Sequence, residues 1–178
     1  MKTLTLSALL CAMMALTRAA ALPDAEAGPG SEGSAVQAES RVVKRSPCCP
    51  EGWTAFNSRC FLYVAKAMSW AVAETNCQFL GGNLASVHNI QEYQEIQRTI
   101  VKDSHNQGET WIGGSDAEQE GFWFWSDGTP FSFTQWCPGQ PDNFQGHQNC
   151  LLMNFSDLKG WDDRGCEAQF PSVCVRNV

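Results

Sequence analysis

The sequence predicts an α+β domain stapled by disulfides, and three observations carry that prediction. Two helical patterns sit in the first half of residues 46–178, short apolar β-type runs dominate the second half, and eight cysteines are spread along the same stretch. Helices grouped ahead of most of the strands argue for two helices packed on an antiparallel sheet, not for alternating parallel units. An even set of cysteines behind an export signal reads as a disulfide framework.

The export signal is the chain start. Lys2 supplies a positive charge, Leu4 to Leu16 is mostly apolar, and Ala19 and Ala21 form the small-x-small pattern that signal peptidase cuts after, so residues 1–21 are expected to be a signal peptide. That run is too short to span a bilayer, which needs about 20 apolar residues, and no later segment is long and apolar enough, so no membrane span is expected. Residues 22–45 are rich in Ala, Gly, Glu, Ser and Pro and hold no aromatic residue. Such a composition cannot bury enough apolar surface to offset the entropy of ordering. The stretch reads as a disordered propeptide ending in the dibasic pair Lys44-Arg45, after which a secreted domain of residues 46–178 would begin.

That domain has 133 residues, enough for one core, and holds all 7 tryptophans. Before Ser46 lie five basic residues (Lys2, Arg18, Arg41, Lys44, Arg45) and four acidic ones (Asp24, Glu26, Glu32, Glu39), so the 12 Lys+Arg and 19 Asp+Glu of the chain fall to 7 and 15, a net charge of −8. Charge of that sign excludes bulk electrostatic binding to nucleic acid or an anionic membrane. Zinc is excluded as the cysteines' purpose, because there is no Cys-x2-Cys and no histidine at finger spacing.

Along the domain, Cys60 to Val64 is a β-type run, followed by a helix from Ser69 to Leu80 with Trp70, Ala73, Cys77 and Leu80 on one face and a stop at Gly81-Gly82. A second helix starts at Asn89 as N-cap, with Glu92 three residues on. Its stripe of Ile90, Tyr93, Ile96 and Ile100 runs on to about Lys102. Strands are predicted at Thr110–Gly113, Phe122–Trp125, Cys150–Asn154 and Ser172–Val175. The aperiodic segment Ser126–Asn149, broken by Gly and Pro, is a long loop of the kind that binds ligands.

Six motifs in order, Cys49-x-x-Gly-Trp53, Ser-Arg-Cys60, Gly-Gly-Asn-Leu-Ala-Ser86, Trp-Ile-Gly-Gly114, Trp161-Asp-Asp163 and the closing Cys174, resemble the C-type lectin-like domain over nearly all of residues 49–176. Within that family the chain is similar to secreted fish lectins that bind galactose or lactose, and to type II antifreeze proteins. The resemblance implies disulfides Cys49–Cys60, Cys77–Cys174 and Cys150–Cys166. Cys48 and Cys137 are then left over, open to pairing with each other or between chains, and the reading favoured is an interchain disulfide that makes covalent homo-oligomers.

The resemblance also implies a calcium site. Gln140-Pro141-Asp142 would have a cis proline that turns its flanking side-chain oxygens to one side, and Trp161-Asp162-Asp163 would face it. Calcium takes six to eight oxygens, and the family pattern assigns Gln140, Asp142, Gln148, Asp162 and Asp163 as ligands, with the Asp163 carbonyl in addition. In sugar-binding members two vicinal hydroxyls complete the shell, which makes Gln140, Asp142, Gln148 and Asp162 carbohydrate-binding as well. The order Gln-Pro-Asp resembles the galactose-type arrangement, since exchanging amide and carboxylate reverses donors and acceptors. Phe144 stands where a ring packs on the hexose for about 1 kcal/mol. One departure weakens the site: position 148 is Gln where Glu is usual, and losing a charged ligand at about 1.5–3 kcal/mol takes a ~10⁻⁴ M site toward ~10⁻³–10⁻² M.

The resemblance further implies an auxiliary calcium site, present in some relatives, at the positions of Asp116 and Glu120, but the companions expected at 143 and 149 are both Asn, so this pair reads as solvated turn residues. Asn154-Phe-Ser156 is a glycosylation sequon. His88, His105 and His147 call for no function, and Trp111, Trp125 and Trp161 read as core. No nucleophile elbow, His-Glu-x-x-His or phosphate loop is present, so an enzyme is not expected. The functional expectation is a secreted, calcium-dependent, galactose-type lectin of microbial glycans. The alternatives are an ice-binding protein, disfavoured because Asn143-Phe-Gln-Gly-His147 has no Thr or Ser, and a calcium-independent protein-binding domain, which Gln148 permits.

Overall fold

The structure is a computed structural model that describes residues 48–178. The expected signal peptide and propeptide, and the processing site after Arg45, lie outside the described residues. Among these, no helix is long and apolar enough to cross a membrane.

Strand β1 (Thr54–Phe56) turns through Asn57, at φ 53°, into β2 (Arg59–Met68). Helix α1 (Trp70–Phe79) follows, ending where Gly81 takes φ +83°. Next come β3 (Asn83–Leu84) and helix α2 (Ile90–Ser104). Asn89 caps α2 by accepting the Glu92 N–H, while the Glu92 carboxylate accepts the His88 N–H. Strands β4 (Thr110–Ser115), β5 (Phe124–Trp125), β6 (Cys150–Phe155), β7 (Gly160–Arg164) and β8 (Phe170–Asn177) complete the set.

The strands form a path β1-β2-β8-β4-β6-β7, with β3 joined to β8 and β5 to β4. The sheet is mixed: β4 and β8 run parallel at Trp111 and Ser172, where an all-antiparallel sheet was expected. Strand β8 zips the end of the domain to β2 near its beginning, from Arg59 opposite Asn177 to Val64 opposite Ser172. The three expected disulfides are present: Cys49–Cys60, Cys77–Cys174 and Cys150–Cys166.

Strand alternation sorts the core onto two faces. Trp111, Leu152 and Cys174 pack with Ala73 and Cys77 of α1, whereas Ile112, Leu151, Met153, Val173 and Val175 pack with Tyr93, Ile96 and Ile100 of α2. Apolar residues on both faces explain why β4 and β6 read as continuous apolar runs. Several apolar residues of the predicted stripes and strands are exposed, not core: Leu80 and Ile90 at the helix ends, and Phe122 and Phe124 around β5.

Close approach of backbones demands glycine at Gly113. A Cβ at Gly113 would lie 2.7 Å from the Leu84 carbonyl oxygen and 2.8 Å from the Ser126 hydroxyl. Gly113→Ala is expected to cost about 1–3 kcal/mol by overpacking, measured as a lower midpoint in urea unfolding with an unchanged slope.

Candidate functional site

Strand β7 was not foreseen as a strand, because its two aspartates interrupt the apolar pattern, yet it organises the site. It pairs with β6, Leu151 opposite Asp163 and Leu152 opposite Asp162, so a pair of carboxylates sits inside a buried ladder. The long segment after Ser126 lies along it: the Trp161 N–H donates to the Gln135 carbonyl at 2.7 Å and the Cys137 N–H to the Trp161 carbonyl at 2.9 Å. The indole of Trp161 meets Phe131, Phe133 and Trp136 of the segment at ring-centre separations of 6.0, 5.8 and 5.7 Å.

The tripeptide then docks on Asp163. The Gln140–Pro141 bond is cis. The Asp142 and Asn143 N–H groups donate to the two carboxylate oxygens of Asp163, at 3.0 and 2.7 Å. The Asp142 carboxylate accepts the Phe144 N–H at 3.2 Å. Phe144 opens a single 3₁₀ turn (Phe144–Gly146) and presents its ring to solvent at 63 % exposure.

Gln148 is not an open ligand position. It is buried, its Oε1 accepts the Phe144 N–H at 2.6 Å, and its Nε2 donates to the Asp163 carbonyl at 2.9 Å. Both ends of this amide are committed within the loop, and so is the carbonyl expected to join the cation shell. A residue missed by sequence reading, Asn143, holds the turn from the other side. Its backbone is at φ 41°, its Oδ1 accepts the Gln148 N–H at 3.0 Å, and its Nδ2 donates to Glu120 at 2.5 Å. Asn tolerates the left-handed region and bonds its own neighbours, which is the signal that marked it.

Asp162 is fully buried. The Arg164 guanidinium reaches its Oδ2 at 2.5 Å, without hydrogen-bond directionality, and Oδ1 has no partner. Burial, opposed by Arg164 and reinforced by Asp163 and Asp142, pushes the Asp162 carboxyl up to about 6. Gln140 Oε1 is likewise buried without a partner. Orphaned, buried oxygens are the kind of atom a hard cation satisfies. Gln140, Asp142 and Asp162 carry oxygens of the type calcium takes, the Asp163 carboxylate is engaged by two backbone N–H groups, and among the described residues no three acidic, His or Cys side chains converge as a ready-made metal cluster.

The neighbouring pair departs from expectation. Asp116 is buried, not solvated: its carboxylate accepts from the Gly121 N–H at 2.8 Å and from Asn149 Nδ2 at 3.1 Å. Glu120 is exposed, and its carboxyl is raised by partial desolvation and by Asp116 and Asp163. The amides of Asn143 and Asn149 both close on Glu120, so their hydrogen atoms take the place of an ion.

Two further residues named from the sequence are enclosed in the fold. The Cys137 thiol is buried, 3.5 Å from both the Phe155 carbonyl and the Ser156 hydroxyl, while Cys48 is exposed. Asn154 is 1 % exposed at φ 65°, its Nδ2 donating to the Gly108 carbonyl and its Oδ1 accepting from Gln97. Clefts of about 470 and 560 Å³ lie beside Trp70 and Phe124 and along α2 at Gln94 and Arg98.

An α+β sheet with a helix on each face, three disulfides and a long loop held over a Trp-Asp-Asp strand define a C-type lectin fold. The family model for the lectin C-type domain matches residues 66–176. Ladderlectin of Oncorhynchus mykiss is 42 % identical, over all of this chain and 96 % of its own length. The galactose-specific lectin nattectin of Thalassophryne nattereri is 44 % identical over 78 % of this chain and 87 % of its own. The solved structure of herring type II antifreeze protein superimposes with a TM-score of 0.68 at 35 % identity, covering 73 % of this chain and 99 % of that one. The chain belongs to the C-type lectin family, whose members matched here are not enzymes.

The raised Asp162 carboxyl has a defined consequence. Its folded value of about 6 exceeds the unfolded value of 3.8, so folding takes up a proton between them, and the folded state loses stability through this group as pH rises through 6. In chelator, Asp162→Asn is expected to stabilise the domain by on the order of 1–2 kcal/mol at pH 7.5, with the gain vanishing toward pH 4. Thermal melts of both proteins across that range check it.

Proposed function

We propose that this protein is a secreted carbohydrate-binding lectin of galactose type, acting on glycans such as those of microbial surfaces. The observation that carries the reading is a pair of buried groups short of hydrogen-bond partners, Gln140 Oε1 and the Asp162 carboxylate, the latter met only by Arg164, together with a loop whose backbone is clamped to Asp163. Gln140, Asp142, Asp162 and Asp163 would hold calcium, which supplies a coordination centre for two vicinal hydroxyls. Gln148 acts as a strut that fixes the loop, in place of the charged ligand expected there. The amide of Gln140 and the carboxylate of Asp142 set which hydroxyl donates and which accepts, and the exposed Phe144 ring offers a face to the hexose.

A site built from one weak cation and one ring binds a single sugar near millimolar, so linked copies are needed, and avidity can add ~10²–10⁴. Cys48 is the exposed thiol available to link them. The likeness to nattectin, named as galactose-specific, supports the sugar class.

The likeness to a type II antifreeze protein supports a second reading, ice binding on the same scaffold. Residues 143–147 lack the hydroxyls that would pattern an ice-facing surface. The way Gln148 closes the loop without an ion supports a third, a calcium-independent binder.

Passage of the secreted protein over galactose-agarose is expected to give retention in millimolar calcium and release by chelator. Gln140→Glu with Asp142→Asn should move retention to mannose-agarose. Flow-through on both columns, or thermal hysteresis in the same preparation, would displace the lectin reading.

A further inference from the structure

Arg164 has no place in the ligand set, yet it contacts the deepest carboxylate of the site. Its Nη1 lies 2.5 Å from Asp162 Oδ2, its Nη2 lies 3.7 Å from Glu109, and its guanidinium carbon sits 5.0 Å over the centre of the Phe155 ring. A second acid and an aromatic face thus hold the guanidinium in position. Asp162 is wholly buried while Arg164 is 29 % exposed, so the cation has a solvent route and the anion has none. On a strand, residues two apart share a face, which makes the encounter local to β7 and independent of how the loop closes.

We propose that Arg164 is an internal cation that competes with calcium for Asp162 and so sets the site's metal affinity. The proposal rests on the calcium reading of the preceding section and deepens it. Without metal, the guanidinium is the nearest positive charge to a carboxylate that cannot reach water, and its contact lacks hydrogen-bond directionality, with Oδ1 left unmatched. A divalent ion satisfies that carboxylate only by drawing it away from Arg164, which then turns toward Glu109 and solvent. Gln148 acts in the same direction, since its Nε2 already occupies the Asp163 carbonyl. The two residues make the empty loop self-consistent, and calcium has to displace what they supply.

The test is calorimetric titration of calcium chloride into the full chain's secreted product, compared with three variants. Arg164→Met keeps length and packing on Phe155 and removes the charge. Arg164→Lys keeps the charge. Arg98→Met removes one positive charge from an exposed position on α2, 67 % accessible, and controls for net charge. Removing one charge-assisted contact predicts about tenfold tighter calcium binding in Arg164→Met, with Arg164→Lys and Arg98→Met close to the parent protein.

Melting curves supply a second readout. Arg164→Met should melt lower than the parent in chelator, where Asp162 is left alone, and gain more from calcium than the parent does. A residue with only a structural role would lower both melts equally. Unchanged or weaker calcium binding in Arg164→Met, in a parent that binds calcium, overturns the competition and leaves the calcium reading intact. Calcium binding in Arg164→Met and not in the parent upholds both. No binding in any of the four proteins overturns both.

Discussion

The binding loop takes its shape from one strand. Ordering a segment as long as residues 126–149 without a helix or a ladder carries a large entropic cost, and β7 is where that cost is offset. Trp161 faces inward to Tyr93 and Trp125 and gathers Phe131, Phe133 and Trp136 around it. Each such pair contributes about 0.5–1.5 kcal/mol beyond its buried area. The residue after it, Asp162, and the next, Asp163, inherit their positions from this anchor. A carboxylate that accepts two successive backbone N–H groups, as Asp163 does, fixes a turn far more tightly than a side chain in solvent.

Much of this was legible. Helix α1 appears over nearly its predicted span because Gly81-Gly82 stops it, and α2 starts at its predicted cap because Asn89 has Glu92 three residues on. The pairs of cysteines followed from family resemblance, not from spacing. What the sequence hid is instructive. Strand β7 carries Gly-Trp-Asp-Asp-Arg, a string with no apolar alternation, since its strand state comes from pairing with β6 and its aspartates are tolerated by the site. The parallel contact of β4 with β8 is a long-range event that no local pattern encodes.

Burial of polar residues was the other blind spot. Asp116 after a glycine pair and Cys137 beside a proline read as surface chemistry, and Asn154, a sequon in an apolar run, as at most partly shielded, yet each is enclosed and bonded to neighbours. Sequence reports side-chain type, but satisfaction by a distant carbonyl is a property of the fold. Asn143, Gln148 and Asn149 show it most clearly. Positions where acidic ligands were expected hold amides instead, and each amide nitrogen donates to an oxygen of the site.

That exchange changes what the loop requires. A carboxylate at position 148 would repel the neighbouring Asp163 and need a cation to sit there, so loop order and metal would be one event. An amide at the same position draws the Asp163 carbonyl to itself and closes the loop with no ion. Asp162 and Gln140 are left unreconciled, the first buried with one oxygen unmatched and its carboxyl raised to about 6, the second with its Oε1 buried and without a partner. Relief of these two groups is then the main free energy by which a cation could distinguish the folded loop. Such coupling is modest: a ligand present at its own dissociation constant adds only about 0.4 kcal/mol to stability. A loop closed in this way holds its shape with no ion, and under the proposed lectin reading a metal would serve chiefly to grip the ligand.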